Sequence, residues 1–120
     1  MRAYKDLREF LSVLEQERQL LRIHDQVVPE PDIAAAACAL TEIGEDSPAI
    51  YFDNIAGYTS ARVAMNVHGS WCNHALALGM EKDAGMRDQF FEFVRRFQQY
   101  PGTLERVASA PGKTSSSTRT

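Results

Sequence analysis

Three residues of the chain, His68, Cys72 and His74, carry side chains that bind zinc and other transition metals. His68 and Cys72 are four residues apart, the spacing that places two side chains on one face of a helix. We expect His68 at the end of a strand, however, and His74 falls on a different helical face with no fourth ligand nearby. Because a metal site needs both ligand number and geometry, we interpret all three as turn and packing residues and assign no metal ligand.

The chain offers two further starting points for catalysis. Cys72 is expected in the first turn of a helix, where the helix dipole can favour a reactive thiolate, but a catalytic cysteine also needs a positioned base. Glu45, Asp46 and Asp53 could divide acid and base work as paired carboxylates. The glycine, proline and asparagine beside them are typical of exposed loops instead. We therefore interpret Cys72 as a small buried thiol and assign no catalytic residue.

Nucleotide-binding motifs are also incomplete. Gly112-Lys113-Thr114 matches the end of a phosphate-binding P-loop, but Val107 stands where the motif requires its first glycine. No predicted strand leads into this segment, and the sequence contains no G-x-G-x-x-G fingerprint. We therefore assign no cofactor-binding residue.

The composition is that of an ordinary water-soluble domain. The 120 residues carry a formal net charge of −3, so a nucleic-acid partner, which needs a clustered basic face, is disfavoured. The two cysteines lack the density of a disulfide framework, and no window has the ~18 apolar residues of a membrane span. We expect a cytoplasmic protein without a nucleic-acid or membrane partner.

The first half of the chain alternates between helical and strand patterns. Apolar residues at i, i+3, i+4 and i+7 from Leu7 predict an amphipathic helix over 6–18, and Asp6 with Glu9 has the spacing of a capping box. A strand is predicted over 20–24. Pro29 and Pro31 then interrupt the chain before an alanine-rich helix, in which Asp32 lies in the first turn or caps it. That helix covers 33–43, ends in a left-handed cap at Gly44, and uses Ala34 to Ala37 to approach a sheet.

The second half is predicted to contain a hairpin and two helices. Strands over 49–52 and 61–67 pair, Ser70 caps a helix over 71–78, and Gly79 ends it. In the last helix, apolar residues at helical spacing form a stripe that we expect to lie in the core or at an interface. The stripe is Met86, Phe90, Phe93, Val94 and Phe97, and Tyr100 follows the helix. Phe91 lies off the stripe and is expected to face a neighbouring domain. The order αβαββαα predicts an α/β domain over 1–108 with helices packed on a small mixed sheet. A disordered tail is predicted over 109–120.

The order and spacing of six segments between Tyr4 and Gly79 resemble the N-terminal domain of the UbiD-type carboxy-lyases. Within that family they are most similar to the large subunit of bacterial hydroxyarylic acid decarboxylases, which act on 4-hydroxybenzoate or vanillate. The segments are YKDLREFL (4–11), LLRI (20–23), PEPDI (29–33), PAIYFDNI (48–55), GY (57–58) and MNVHGSW (65–71). The resemblance extends to about residue 110.

This resemblance implies a non-oxidative decarboxylase that uses prenylated FMN with a divalent metal, manganese, and potassium. The catalytic glutamate-arginine-glutamate set and the metal ligands of such enzymes lie in a central flavin-binding domain outside the resemblance, so no site residue is carried over to this chain. We expect a truncated N-terminal fragment that is inactive alone, with a frameshift near Gly112. Its partner would be the remaining flavin-binding part, and exposed apolar surface would favour self-association.

Two alternatives to the inactive fragment stay open. The chain could be one component of a split decarboxylase that a separately encoded flavin domain completes, or a small α/β module that binds a ligand or protein. A flavin-domain reading frame directly downstream would separate the first two readings from the third.

Overall fold

The computed structural model describes residues 3–100 and 102–109. These residues form the predicted α/β fold, and the bounds of its helices and strands lie within two residues of the predicted ones. The helices and strands are, in chain order, α1 (Leu7–Gln16), β1 (Leu20–Ile23), α2 (Ala34–Ile43), β2 (Ala49–Phe52), β3 (Val63–Met65), α3 (Trp71–Ala77) and α4 (Met86–Gln99). Of the predicted tail, residues 110–120 lie outside the described residues.

The sheet is mixed, with the strand order β1-β2-β3. β1 runs parallel to β2, with Leu20 opposite Ala49, whereas β2 and β3 are antiparallel, with Ile50 opposite Met65. The antiparallel pair confirms the predicted hairpin. β3 is two residues shorter than predicted at each end. Before it, the Ala61 amide donates to the Tyr58 carbonyl in a turn; after it, Asn66 takes a left-handed conformation with a φ of 55° and ends the extended run.

Helices cover both faces of the sheet, because successive strand residues point to opposite sides. On one side Ala49 packs with Phe10, Val13 and Leu14 of α1 and Leu76 of α3. On the other side, a second cluster is formed by residues of β2, α2 and the loop after β2: Leu40, Ile50, Phe52 and Ile55. The domain therefore has two small cores separated by its sheet.

Local signals explain where most elements begin and end. The Asp6 carboxylate accepts a hydrogen bond from the Glu9 amide at 2.9 Å, and the Glu9 carboxylate accepts one from Lys5, one residue before the expected capping-box partner. Ser70 caps α3 by accepting from the Asn73 amide. Asp32 does not cap α2; its carboxylate accepts from the Val28 amide in the preceding turn.

The alanine-rich helix α2 packs differently from its prediction. Only one narrow stripe contacts the sheet, through Ile33, Ala36 and Leu40, while Ala34 and Ala37 are exposed. Gly44 ends the helix with a φ of 80° as expected, but its ψ of −135° lies outside the left-handed helical region and is accessible mainly to glycine. Alanines on the exposed side therefore do not bring α2 closer to the sheet.

Candidate functional site

The last helix, α4, turns its polar side toward the domain. Gln89 is its fully buried residue, and Glu92 and Arg96 are half-buried on the same side. The phenylalanines are outside: Phe90 is 61%, Phe93 52% and Phe97 74% exposed. Of the two roles predicted for this stripe, core is therefore wrong for every member except the half-buried Val94, and an interface remains.

Gln89 fixes the rotation of α4 about its own axis. Its side-chain Nε2 donates hydrogen bonds to the Trp71 carbonyl at 3.0 Å and to the Ala84 carbonyl at 2.8 Å. Its Oε1 lies 2.9 Å from Nδ1 of His74 on α3. Because the buried amide is satisfied on both atoms, turning α4 over to bury its phenylalanines would leave these partners unpaired, at about 1–3 kcal/mol for each buried group.

A second polar contact holds the carboxyl-terminal half of α4. Arg96 donates to the Leu78 carbonyl at the end of α3, and its Nε donates to Glu92 Oε1 at 2.7 Å. Arg95 binds the same carboxylate at 2.6 Å. Hydrogen bonds from Arg95 and then Arg96 lower the pKa of Glu92 to about 2. The carboxylate is thus held charged between two guanidinium groups.

The outer side of α4 and the start of α3 form one continuous apolar surface, which we call the α4 face: Trp71, Met86, Phe90, Phe91, Phe93 and Phe97. Most of these residues, with His74 and Arg87, line an open groove of about 630 Å³. The Arg87 guanidinium lies over the Phe91 ring, 5.6 Å from its centroid. Covering the three phenylalanines of the groove, Phe90, Phe91 and Phe93, would contribute ~2.5–5 kcal/mol, since each is a little over half exposed and full burial of one such side chain is worth roughly 1.5–3 kcal/mol.

The residues considered as metal ligands do not converge. The His68 ring stacks on Phe10 of α1, with the centroids 5.6 Å apart, whereas His74 contacts Gln89 and the edge of the Trp71 ring. Cys72 is half-buried. Within residues 3–100 and 102–109, no group of three or more histidine, cysteine or acidic side chains could hold a metal ion.

Comparison with known proteins gives the family. Residues 11–92 match the model of the 3-octaprenyl-4-hydroxybenzoate carboxy-lyase N-terminal domain, UbiD_N. The chain belongs to this family. The UbiD N-terminal domain is 59% identical, over 109 residues, to a phenolic acid decarboxylase of Streptomyces sp. (strain D7), covering 91% of this chain and 23% of the relative. For the phenolic acid decarboxylase of Bacillus subtilis (strain 168) the identity is 53% with the same coverage.

Solved structures agree with the fold of this UbiD N-terminal domain. The vanillic acid decarboxylase of Sedimentibacter hydroxybenzoicus, ShVdcCD, in its closed form matches with a TM-score of 0.79 and 53% identity, over 84% of this chain and 21% of that chain. Its open form with truncated ShVdcD matches with a TM-score of 0.78 and 54% identity, over 82% of this chain and 21% of that chain. The family resemblance is thus confirmed. The chain spans about a fifth of the length of the relatives it matches.

The UbiD N-terminal domain also contains a polar cluster that the sequence patterns did not reveal. At the carboxyl ends of the parallel strands β1 and β2, His24 Nδ1 lies 2.8 Å from Asp53 Oδ2. Arg22 forms a two-pronged contact with Glu15 of α1 at 2.9 Å, which lowers the pKa of Glu15, and stacks over Tyr51. The only hint of it in the sequence is the spacing of Arg22, in β1, and His24, directly after β1, which places both side chains on one side of the chain.

This cluster joins α1 to the sheet edge. Asp53 pairs there with His24, at the end of β2 opposite to the turn that holds Glu45 and Asp46 (Gly44–Asp46). Because a whole strand separates Asp53 from the other two carboxylates, the structure does not assemble the acid and base pair considered for them.

Proposed function

We propose that this UbiD N-terminal domain is a non-catalytic part of a hydroxyarylic acid decarboxylase and is inactive by itself. The parent reaction would convert a 4-hydroxybenzoate- or vanillate-type acid into a phenol and CO₂. The observation that carries the proposal is the 59% identity to a phenolic acid decarboxylase over 91% of this chain but only 23% of that relative. A match this strong to so small a share of an enzyme supports a role as one domain of it.

The chemistry of the parent reaction supports the same division of labour. Decarboxylation of an aromatic acid needs an electron sink and groups fixed around the reacting carbon, which prenylated FMN with manganese and potassium would supply when bound. The described residues do not fit the metal that such a group carries, because residues 3–100 and 102–109 bring together no three histidine, cysteine or acidic side chains that could hold an ion. We therefore propose that the cofactor and the reacting acid bind to the rest of the enzyme.

The proposed setting is the cytoplasm. Cys38 is exposed on α2 and unpaired, as is common for thiols in a reducing compartment. Every helix of residues 3–100 and 102–109 is too short or too polar to span a lipid bilayer.

Decarboxylation assays test the proposal. We would express three proteins in a host that makes prenylated FMN: this chain alone, the Streptomyces relative, and a chimera in which this domain replaces the matching 109 residues of that relative. We expect CO₂ release from 4-hydroxybenzoate or vanillate with the relative and the chimera, and none with the chain alone. Release by the chain alone would contradict the proposal, and so would a folded chimera that turns over neither acid.

Separate expression addresses the split-enzyme alternative. The chain and the remaining part of the relative would be produced as two polypeptides and mixed with the same acids. Recovery of activity on mixing would show that the domain can complete the enzyme without a covalent link.

A further inference from the structure

The α4 face is exposed because the opposite side of the helix is hydrogen-bonded to the rest of the domain. Gln89 makes two hydrogen-bond contacts to α3 and one to the Ala84 carbonyl in the loop before α4, and Arg96 binds the carbonyl at the end of α3. These polar contacts hold the orientation of α4. The phenylalanines consequently point outward, because turning them inward would break these hydrogen bonds.

We propose that the α4 face is the surface through which this domain docks on the remaining part of the decarboxylase polypeptide. That part is the more than three quarters of the relatives' length that the match leaves uncovered. This inference rests on the proposed function, and it adds which residues make the contact.

The position of α4 in the chain supports this occupant over others. It is the last helix of the described domain, and residues 102–109 follow it with Leu104 97% and Val107 49% exposed. In the relatives, the polypeptide continues from an N-terminal domain of this family into the uncovered part. A tethered neighbour is present at an effective concentration that a second copy or a separate subunit reaches only by association. The apolar surface therefore meets this neighbour first.

The chemistry of the α4 face defines what the complementary surface on the remaining part of the decarboxylase must present. It presents aromatic rings and Met86, with Arg87 lying over Phe91 at the rim. An apolar patch with a carboxylate or carbonyl group at its edge would cover the rings and receive the guanidinium. Central aromatic residues surrounded by a polar rim are the usual pattern of residues that dominate binding.

Thiol labelling tests the docking in the chimera described above. Phe93→Cys places a thiol in the α4 face, and Ile43→Cys is the matched control, because Ile43 is 57% and Phe93 52% exposed in the domain. Both variants would be labelled with a maleimide, in the isolated chain and in the chimera, and followed by peptide mass spectrometry. We expect the Phe93→Cys thiol to react at least tenfold more slowly in the chimera than in the isolated chain, with little change for Ile43→Cys.

A second measurement separates the competing occupants. Phe93→Glu should lower the melting temperature of the chimera by several degrees and leave that of the isolated chain unchanged or raised. Equal labelling of Phe93→Cys in both proteins overturns the inference. Protection that appears only in a dimer of the isolated chain, seen by analytical ultracentrifugation, or only after a small subunit such as ShVdcD is added, also overturns it. A protected but inactive chimera would contradict the proposed function and leave the docking surface standing.

Discussion

The helices α1 and α4 have similar amphipathic sequences but opposite orientations. In α1, Phe10, Val13 and Leu14 are buried against the sheet and α3, and the polar residues face water. In α4, the buried residue is Gln89, while Phe90 and Phe97 are exposed. One helix is held by apolar packing and the other by hydrogen bonds.

An amphipathic sequence therefore predicts that a helix has an apolar and a polar side, but it does not predict which side packs against the helix's own domain. The apolar side of α1 finds Ala49 and Leu76 within the same 100 residues. The apolar side of α4 has no such surface among the described residues, and hydrogen bonding of Gln89 and Arg96 to α3 decides the orientation. A helix of this kind leaves an apolar side for another surface to cover.

Removing an apolar side chain from each helix should give the largest contrast. Leu14→Ala leaves a cavity beside Phe10 and Val13 in the α1 core, and we expect it to lower the free energy of unfolding by about 2–5 kcal/mol. Phe97→Ala, at a residue 74% exposed, should change it by less than about 0.5 kcal/mol. Urea unfolding of both variants of the isolated chain measures this, and similar losses would show that Phe97 packs within the domain.

Replacing the buried amide of α4 should have the next largest effect. Gln89→Ala leaves the carbonyls of Trp71 and Ala84 without their donor, and we expect a loss of about 1–3 kcal/mol. The control is Gln98→Ala, at an exposed position of the same helix. Hydrogen exchange of the α4 amides should accelerate in Gln89→Ala alone. Equal exchange in both variants would mean that the hydrogen bonds of Gln89 do not hold the helix.

The sequence predicts most of the fold because its signals are local. Asp6 and Ser70 cap their helices as their spacing indicates, and Gly44 ends α2. The prediction carried β3 past Met65 because the left-handed conformation of Asn66 is set by its side chain, whose Nδ2 donates to the Pro48 carbonyl at 2.9 Å across the hairpin. Such a contact joins residues 18 apart and leaves no periodic trace.

The candidate site was only half predictable for the same reason. The apolar stripe of α4 is visible in the sequence, but its exposure depends on Gln89 meeting His74 and Trp71, which lie 15 and 18 residues earlier in the chain. The pairing of His24 with Asp53 likewise depends on the register of β1 and β2. Neither contact follows from residue types alone.

Acid should weaken the polar attachment of α4 and spare the apolar core under α1. Because the pKa of Glu92 falls from 4.5 to about 2 in the folded chain, its pairing with Arg95 and Arg96 stabilises the fold above pH 4.5. That contribution is lost as the pH drops from 4.5 toward 2. The melting temperature of Glu92→Gln should therefore lie below that of the parent chain at pH 6 and converge with it near pH 2. The control is Glu42→Gln, at an exposed position on α2, for which we expect no such pH-dependent difference in melting temperature. A difference between Glu92→Gln and the parent chain that stays constant from pH 6 to pH 2 would refute the role of the Glu92 carboxylate.

The smallest effect should come from giving α4 the kind of cap that α1 already has. Asp6 caps α1 with its side chain, whereas Gly85 begins α4 without one. Its φ of −61° and ψ of 149° suit any residue, and an added Cβ would lie 3.7 Å from Asp88 Oδ2, an ordinary contact. In Gly85→Ser the hydroxyl can accept from an amide of the first turn, which should stabilise α4 by a few tenths of a kcal/mol, about 0.3. Gly85→Ala, which lacks the hydroxyl, should show no increase in the free energy of unfolding. An equal increase in Gly85→Ser and Gly85→Ala would instead assign the effect to reduced flexibility of the unfolded chain.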